Sequence, residues 1–254
     1  MDIFFLILAA FFTSAISAVL GMGGGIILLG IMAIIIPDGY MVVAIHGMVQ
    51  LISNLTRSFI FKKHIKKNII LNYLPGAIFG LFISAIIIII LIQFYDIKSA
   101  NEIKVDFLKP LIGVFILWFL YGKRLDVRSE SPNFFKVGVL SGFCTTFIGA
   151  TGPLIAPFFL KGNLSKENII ANKAVCQAIS HLGKIPIFIF IFHFRYFSEL
   201  KIILPLTIAV FIGTNIGKKI LNHISEFFFR ILFKISLTAI AFKLIIDQLI
   251  KFQF

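Results

Sequence analysis

The chain has 254 residues, of which 59% are hydrophobic and 14% are charged, and its mean hydropathy is +1.03. This composition excludes a soluble globular domain and predicts an all-α, polytopic membrane protein, with residues 1–254 forming a single integral membrane domain. The net charge of +13 lies mostly in short loops beside apolar runs, which is typical of topology signals and contacts with anionic lipid head groups rather than of nucleic-acid binding.

The first apolar run, residues 3–36, is too long for a single straight crossing. As one helix it would extend about 51 Å, against a hydrocarbon core of roughly 30 Å. Its middle is Gly21-Met22-Gly23-Gly24-Gly25, and each glycine disfavours a helix interior by roughly 1 kcal/mol relative to alanine. We therefore predict a helix, a glycine break and a half-helix that begins near Ile26.

A break at membrane depth is a candidate binding site, because lipid offers no hydrogen-bond partner to an opened backbone. The half-helix after the break would direct free N–H groups and the positive end of its dipole at the opening, an arrangement that favours an anion. The alternative is a close-packed crossing, in which the glycines only admit a neighbouring helix.

Three further spans complete the first half of the chain. They are predicted at residues 41–61, 69–94 and 110–121. The basic loop 62–67 is assigned to the cytoplasm by the positive-inside rule. Small residues at every fourth position of the 69–94 span predict close helix packing; they are Gly76, Gly80 and Ser84.

The pattern starts again near residue 134. Gly149-Ala150-Thr151-Gly152-Pro153 interrupts a second apolar run, a helix is predicted from about residue 167, and spans follow at 200–221 and 227–250. Gly183 and Pro186 predict a break in the helix that starts near 167. The chain is thus predicted to have two sequence-related halves, about 3–121 and 134–250, each with about four spanning helices and a glycine-broken first helix.

The two halves align residue by residue. A shift of 128 residues superposes Gly21 on Gly149 and Gly24 on Gly152, and a shift of 127 superposes the helix that follows. Polar residues of these helices then pair at spacings of i, i+4, i+7, i+8 and i+11: His46 with Lys173, Gln50 with Gln177, Ser53 with Ser180, Asn54 with His181, and Arg57 with Lys184. At about 100° per residue, these positions share one helix face. Two matched polar stripes predict a site at the interface of the halves.

The relative orientation of the halves depends on the two breaks. If each broken run simply crosses the membrane, the chain makes eight crossings and the halves are parallel. If each run turns back at its glycines, each half makes five passes and the halves are inverted repeats. The positive-inside rule favours inversion, because that count places more Lys and Arg in the cytoplasm.

The predicted substrate-binding residues belong to the breaks and the stripes: Gly21, Gly23, Gly24, Gly25, Gln50, Ser53, Asn54, Arg57, Gly149, Thr151, Gly152, Gln177, Ser180, His181 and Lys184. Their basic and amide groups suit an anion, and no Asp or Glu lies deep in an apolar run to repel one. Other roles stay open. Arg57 and Lys184 could snorkel to the interface, and uncharged side chains could join helices by hydrogen bonds. An interface role is equally open for His46 and Lys173.

Catalysis and cofactor binding are not predicted. The sequence offers no metal-ligand cluster, catalytic dyad or acidic pair, so we expect neither enzyme activity nor a metal or cofactor. The lack of a deep carboxylate also argues against a carboxylate proton relay. His46 and His181 are then the candidate groups for titration near neutral pH.

The two glycine-broken runs, in a chain of about 250 residues with two halves, resemble the TauE/SafE family of sulfite exporter-like permeases. The resemblance covers nearly the whole chain. It implies a multi-pass permease of the bacterial inner (plasma) membrane for a small anion such as sulfite, sulfoacetate or another organosulfonate. We hypothesise alternating access, with the breaks and stripes lining a central site. The alternative is a passive anion channel. Membrane lipid is the expected surrounding partner, and homo-oligomer formation is left open.

Overall fold

The computed structural model describes residues 2–36, 39–95, 108–122, 132–160 and 164–253. Over these ranges the chain forms ten α-helices and no strand, which confirms the predicted all-α class. The helices are α1 (Asp2–Leu20), α2 (Gly24–Ile35), α3 (Gly39–Ile60), α4 (Lys67–Tyr95), α5 (Leu108–Leu117), α6 (Phe134–Ile148), α7 (Gly152–Leu160), α8 (Lys166–Phe190), α9 (Leu200–Leu221) and α10 (Glu226–Gln253). A π-helical turn extends α5 over Trp118–Gly122. Most of the predicted loops 95–109 and 122–133 lies outside the described residues.

The first apolar run folds as predicted into a helix, a break and a half-helix. Gly21 and Gly23 have φ angles of 71° and 92°, in the left-handed region that glycine adopts without steric penalty. The half-helix α2 begins at Gly24, slightly before the predicted start. A Cβ at Gly24 would overlap the carbonyl of Thr13, so the start of α2 lies beside the middle of α1. The chain therefore reverses direction at this break.

The second apolar run reverses in the same way. Gly149, with a φ of 79°, caps the C-terminus of α6, and α7 begins at Gly152. Ser141 and Thr151 lie on opposite sides of the reversal, and their hydroxyl oxygens are 3.3 Å apart. In the described chain each half thus contains five helices, α1–α5 and α6–α10. With 12 and 9 residues, α2 and α7 are only about 18 and 14 Å long and are too short to cross a bilayer.

The break predicted at Gly183 and Pro186 is wrong, because α8 continues through both residues to Phe190. Pro186 removes one backbone N–H from the helix, and membrane helices tolerate such a gap when neighbouring groups satisfy the freed carbonyl. Gly183 makes room for a neighbour, since a Cβ there would overlap the side chain of Leu81 on α4. Lys184 is therefore held within a continuous helix.

The stripe-bearing helices α3 and α8 pack against each other at the centre of the molecule. At one end, Asn172 near the start of α8 donates to the carbonyl of His64, just beyond the end of α3, at 3.1 Å. At the other end, Lys184 lies against Gly47 near the start of α3. The two helices therefore run antiparallel. Inversion of the complete halves across the membrane stays a prediction.

Helices of different halves also meet along α1 and α9. Gly213 of α9 lies against the carbonyl of Phe11, and Gly217, one turn later, lies against the carbonyl of Ala15. A side chain at either glycine would overlap the facing backbone. The two helices run parallel and approach as closely as their backbones allow.

The equivalent pair is α6 packed on α4, again with one helix from each half. The close packing predicted from small residues is confirmed here. A Cβ at Gly76 would overlap the carbonyl of Phe135, and one at Gly80 would overlap the carbonyl of Val139. The hydroxyl of Ser84, one turn further along α4, is hydrogen-bonded to a threonine hydroxyl of α6.

Three helical segments in the described chain are long and apolar enough to cross a membrane: Asp2–Leu20, Lys67–Phe94 and Tyr196–Leu221. Large apolar side chains cover their outer faces, and Phe79, Phe82 and Phe211 are all more than half exposed. An apolar surface of this extent suits lipid rather than water. Together with the helical content, these segments identify a polytopic membrane protein.

Candidate functional site

A small cavity lies where the two glycine breaks meet the central helices α3 and α8. Both halves contribute to its lining. The lining residues are Ser17, Met22, Gly23, Gly25, Ile26, His46, Gln50, Arg57, Ala150, Gly152, Pro153, Gln177 and His181.

The structure brings many of the predicted binding residues together in this cavity. Those that line it are Gly23, Gly25, Gln50, Arg57, Gly152, Gln177 and His181. The remaining predicted residues are buried but do not belong to the lining; they are Gly21, Gly24, Ser53, Asn54, Gly149, Thr151, Ser180 and Lys184. Substrate binding by any of these residues stays a prediction.

Arg57 gives the cavity a positive charge. Its side chain is 2% exposed, and it donates to the carbonyl of Ser17 at 3.2 Å and to Oδ1 of Asn54 at 2.6 Å. The buried polar residues of the described chain include no Asp or Glu, so this guanidinium has no carboxylate partner there. Arginine keeps its charge in proteins and has five N–H donors, which leaves donors for an anion. Arg57 thus faces the protein interior instead of snorkelling to an interface.

The two buried lysines of α8 hold the breaks. Lys173 donates to the carbonyl of Gly21, which belongs to the break of the other half. Lys184 donates to the carbonyl of Gly149 at 3.3 Å and to that of Val43 at 3.4 Å. Both lysines are completely buried. Lys184, predicted to bind substrate, therefore contacts backbone carbonyls beside the second break.

Each break abuts the glutamine of its own half. A Cβ at Gly25 would lie 3.2 Å from Oε1 of Gln50, and a Cβ at Gly152 would lie 2.8 Å from Nε2 of Gln177. Glycine at these positions allows the amides to approach the opened backbone. An amide provides both N–H donors and a carbonyl acceptor, so the pair can hydrogen-bond an anion without adding charge.

The N-terminus of α2 reaches the cavity. Gly23, Gly25 and Ile26 line it, and no side chain caps the helix at Gly23. The first N–H groups of a helix have no partner within the helix, and its dipole is positive at this end. The cavity therefore combines a helix N-terminus with Arg57, an arrangement suited to anions. The start of α7 has fewer donors because Pro153 has no N–H.

His46 and His181 contribute one imidazole ring from each half. Their ring centroids are 6.2 Å apart and their planes meet at 75°. Nε2 of His46 lies 2.8 Å from the carbonyl of Gly25. A carbonyl accepts only, so Nε2 carries the proton of the neutral ring. Nδ1 of each ring is buried and has no hydrogen-bond partner within the described chain.

Ser180 and Thr151 belong to a chain of buried hydroxyl groups. Tyr73 Oη lies 2.7 Å from Ser180 Oγ, which lies 3.1 Å from Ser141 Oγ, and Ser141 is in turn bonded to Thr151. These contacts join α4, α6 and α8 to the second break, which is the helix-joining role left open for the uncharged side chains. In the first half, by contrast, the hydroxyl of Ser53 has no hydrogen-bond partner in the described ranges.

The family described as sulfite exporter TauE/SafE matches residues 6–244 of this chain. The chain belongs to the TauE/SafE family. The resemblance predicted from the glycine-broken runs is thereby confirmed, and the family implies a membrane permease for sulfite-type anions. No curated protein and no solved structure gives a significant match to the chain.

Sequence reasoning misses part of the lining of this TauE/SafE cavity. The missed residues are Ser17, Met22, Ile26, Ala150 and Pro153. A signal for Ser17 is present, because the 128-residue shift that superposes the breaks also pairs Ser17 with Thr145 and Thr13 with Ser141. Matched hydroxyl residues thus precede both breaks. Met22, Ala150 and Pro153 lie within the two predicted breaks, but an apolar side chain there does not by itself indicate binding.

Proposed function

We propose that this protein is a secondary transporter that moves a small anion, sulfite or an organosulfonate such as sulfoacetate, across the bacterial inner membrane by alternating access. The observation that carries the proposal is Arg57. Its buried guanidinium lines a cavity at the interface of the halves and has no carboxylate partner in the described chain. A buried charge without a counter-ion is costly, and a bound anion would offset that cost.

The donors around Arg57 suit a group with several oxygen acceptors. Gln50 and Gln177 approach from opposite halves, and the N-terminus of α2 adds backbone N–H groups. Sulfite and sulfonates each present three oxygens that share negative charge, and guanidinium binds such groups by paired, charge-assisted hydrogen bonds. Met22 and Ile26 add apolar surface, which supports a carbon-bearing sulfonate beside sulfite itself.

Alternating access is supported by the enclosure of the site. Gln50, Gln177 and His181 are at most 7% exposed although they line the cavity. Substrate would reach them only after helices move. The antiparallel crossing of α3 and α8 supports inverted repeats, which would let equivalent movements open the site to each side in turn.

A passive anion channel is the competing proposal. It would use the same polar stripes but would need a continuous pore. Transport through such a pore would not saturate and would not discriminate strongly between chloride and sulfonates. The buried lining favours the carrier.

The deciding experiment is transport of radiolabelled sulfite by purified protein in liposomes. Sulfate, sulfoacetate and chloride serve as competitors, and a proton gradient is imposed or omitted. Saturable uptake that sulfoacetate inhibits would support the carrier and rank its substrates. A non-saturating, chloride-permeable leak would support the channel, and no sulfite or sulfonate movement would overturn both.

The surroundings of the protein follow from the same proposal. The exposed apolar helix faces support direct contact with membrane lipid. Cross-linking in native membranes tests for a homo-oligomer. A dimeric product that persists after dilution into excess lipid would support one, and the absence of such a product would support a monomer.

A further inference from the structure

His46 and His181 stand apart from the other polar groups of the cavity. They are 0% and 1% exposed, and each keeps an Nδ1 atom without a hydrogen-bond partner among the residues that the structure describes. Buried polar groups are almost always hydrogen-bonded, so an unpaired one calls for an explanation. Here two unpaired nitrogens belong to rings that line one cavity. A ligand that binds both the cavity and these nitrogens would account for them.

We propose that His46 and His181 form the proton-binding site of this permease, and that a proton binds there together with each transported anion. The inference rests on the proposed function, because it assigns the coupling ion of the same cavity. Proton coupling requires the two imidazole rings in addition to the groups that donate hydrogen bonds to the anion.

The hydrogen bond of His46 identifies the atom that accepts the proton. Nε2–H donates to the carbonyl of Gly25, so the lone pair of the neutral ring is on Nδ1. Binding a proton forms one N–H bond at Nδ1, and release on the other side breaks it.

The charges around the rings link the proton to the anion. Positive charges lie close to the rings, from Lys184 on α8 for both and from Arg57 on α3 for His181, and together with burial they disfavour a proton there while no anion is bound. Lys173 is the other buried cation of α8, and the remaining described helices contribute no buried charged side chain. A bound anion offsets the positive charge that a proton adds to this group. Linkage is reciprocal, so the proton strengthens anion binding by the same factor.

Binding of one proton with each anion determines the charge that is transported. One monovalent sulfonate and one proton together carry no net charge. Their joint movement is then driven by a proton gradient and is insensitive to the membrane potential. The buried polar residues of the described chain include no carboxylate that could take the proton instead.

Isothermal titration calorimetry in two buffers of different ionisation enthalpy measures the proton directly. The probe is methanesulfonate, which stays ionised over the working pH range, so any proton taken up upon binding goes to the protein. Sulfite is titrated in parallel. The wild type should take up protons when it binds methanesulfonate and should bind it more tightly as the pH falls.

Two variants test whether the proton taken up upon anion binding goes to the rings of His46 and His181. His46→Gln keeps an N–H donor for the carbonyl of Gly25 but cannot titrate, and His181→Gln removes the second ring. Each should bind methanesulfonate with proton uptake reduced at least twofold and with a flatter pH dependence. His64→Gln changes an exposed histidine outside the cavity and should behave like the wild type.

The outcomes separate the inference from the proposed function. Anion binding by the wild type without proton uptake would overturn the inference and leave the anion site intact. Undiminished uptake in both cavity variants would overturn it as well, since the proton would then bind elsewhere. If neither methanesulfonate nor sulfite binds, the proposed function fails and the inference fails with it.

Discussion

Lys173 on α8 donates a hydrogen bond to the carbonyl of Gly21, at the glycine break of the opposite half. The lysine is completely buried, and no carboxylate lies among the buried residues of the described chain. The opened backbone of the first half is therefore stabilised by a charged side chain of the second. This contact makes the break a shared feature of the two halves.

Replacement of Lys173 by methionine should affect transport more than stability. The change leaves the carbonyl of Gly21 without its donor, a loss of about 1 to 3 kcal/mol, but it also removes a buried cation whose desolvation costs several kcal/mol. We expect the unfolding temperature to change little and sulfite uptake to fall at least tenfold. Fluorescence of Trp118 on heating and uptake per inserted molecule measure the two effects. Lys201→Met, at an exposed site, is the control, and normal uptake by Lys173→Met would remove the assigned role.

Substitutions of Arg57 test the charge of the cavity. Arg57→Ala removes charge-assisted hydrogen bonds to the anion, each worth about 1.5 to 3 kcal/mol, so the affinity for sulfite should fall about tenfold to a hundredfold. Arg57→Lys keeps the charge without the planar donor group and should have an intermediate affinity. Competition for radiolabelled sulfite binding gives both values. Lys63→Ala removes an exposed basic residue and should leave affinity unchanged. Wild-type affinity in Arg57→Ala would contradict the site.

The glycines of the α4–α6 interface should tolerate no side chain. Gly80→Val would drive Cβ into the carbonyl of Val139, and it should lower the unfolding temperature or prevent accumulation in the membrane. Gly30→Val is the matched control, because nothing lies within 4 Å of a Cβ at that position on α2. The unfolding temperatures of the two variants are measured in the same detergent and compared. Equal stability would show that the helices do not pack as closely as described.

Cysteine labelling decides between inverted and parallel halves. Lys63 and Phe197 are exposed at the ends of α3 and α8, and Phe197 is 88% exposed. Inverted halves put these positions on opposite sides of the membrane, whereas eight simple crossings put them on the same side. In a protein whose two native cysteines are replaced, a membrane-impermeant maleimide added to intact cells should label Phe197→Cys but not Lys63→Cys. The same labelling of both positions would support parallel halves.

Much of the fold is predictable because its signals are local. Glycines mark both breaks, and the spacing of polar residues on α3 and α8 identifies the helix faces that meet. Arg57, Gln50 and Gln177 follow from these stripes, and all three line the cavity. Helix boundaries agree closely, since charges and turns bound each apolar run.

The failures concern contacts that are not local. A glycine has the same sequence signal whether it opens a helix, as Gly21 does, or admits a neighbour, as Gly183 does. Backbone carbonyls have no sequence signal at all. The hydrogen bond from Lys184 to the carbonyl of Gly149 could therefore not be predicted from the sequence.

The pairing of α1 with α9 has a consequence for biogenesis. α1 has as its main partner α9, a helix that is synthesised about 180 residues later. The face of α1 that packs against Gly213 and Gly217 cannot be covered by α9 while the intervening segments are being synthesised. Insertion into the membrane therefore precedes tertiary closure, and a nascent chain that stops before Leu200 leaves α1 facing lipid.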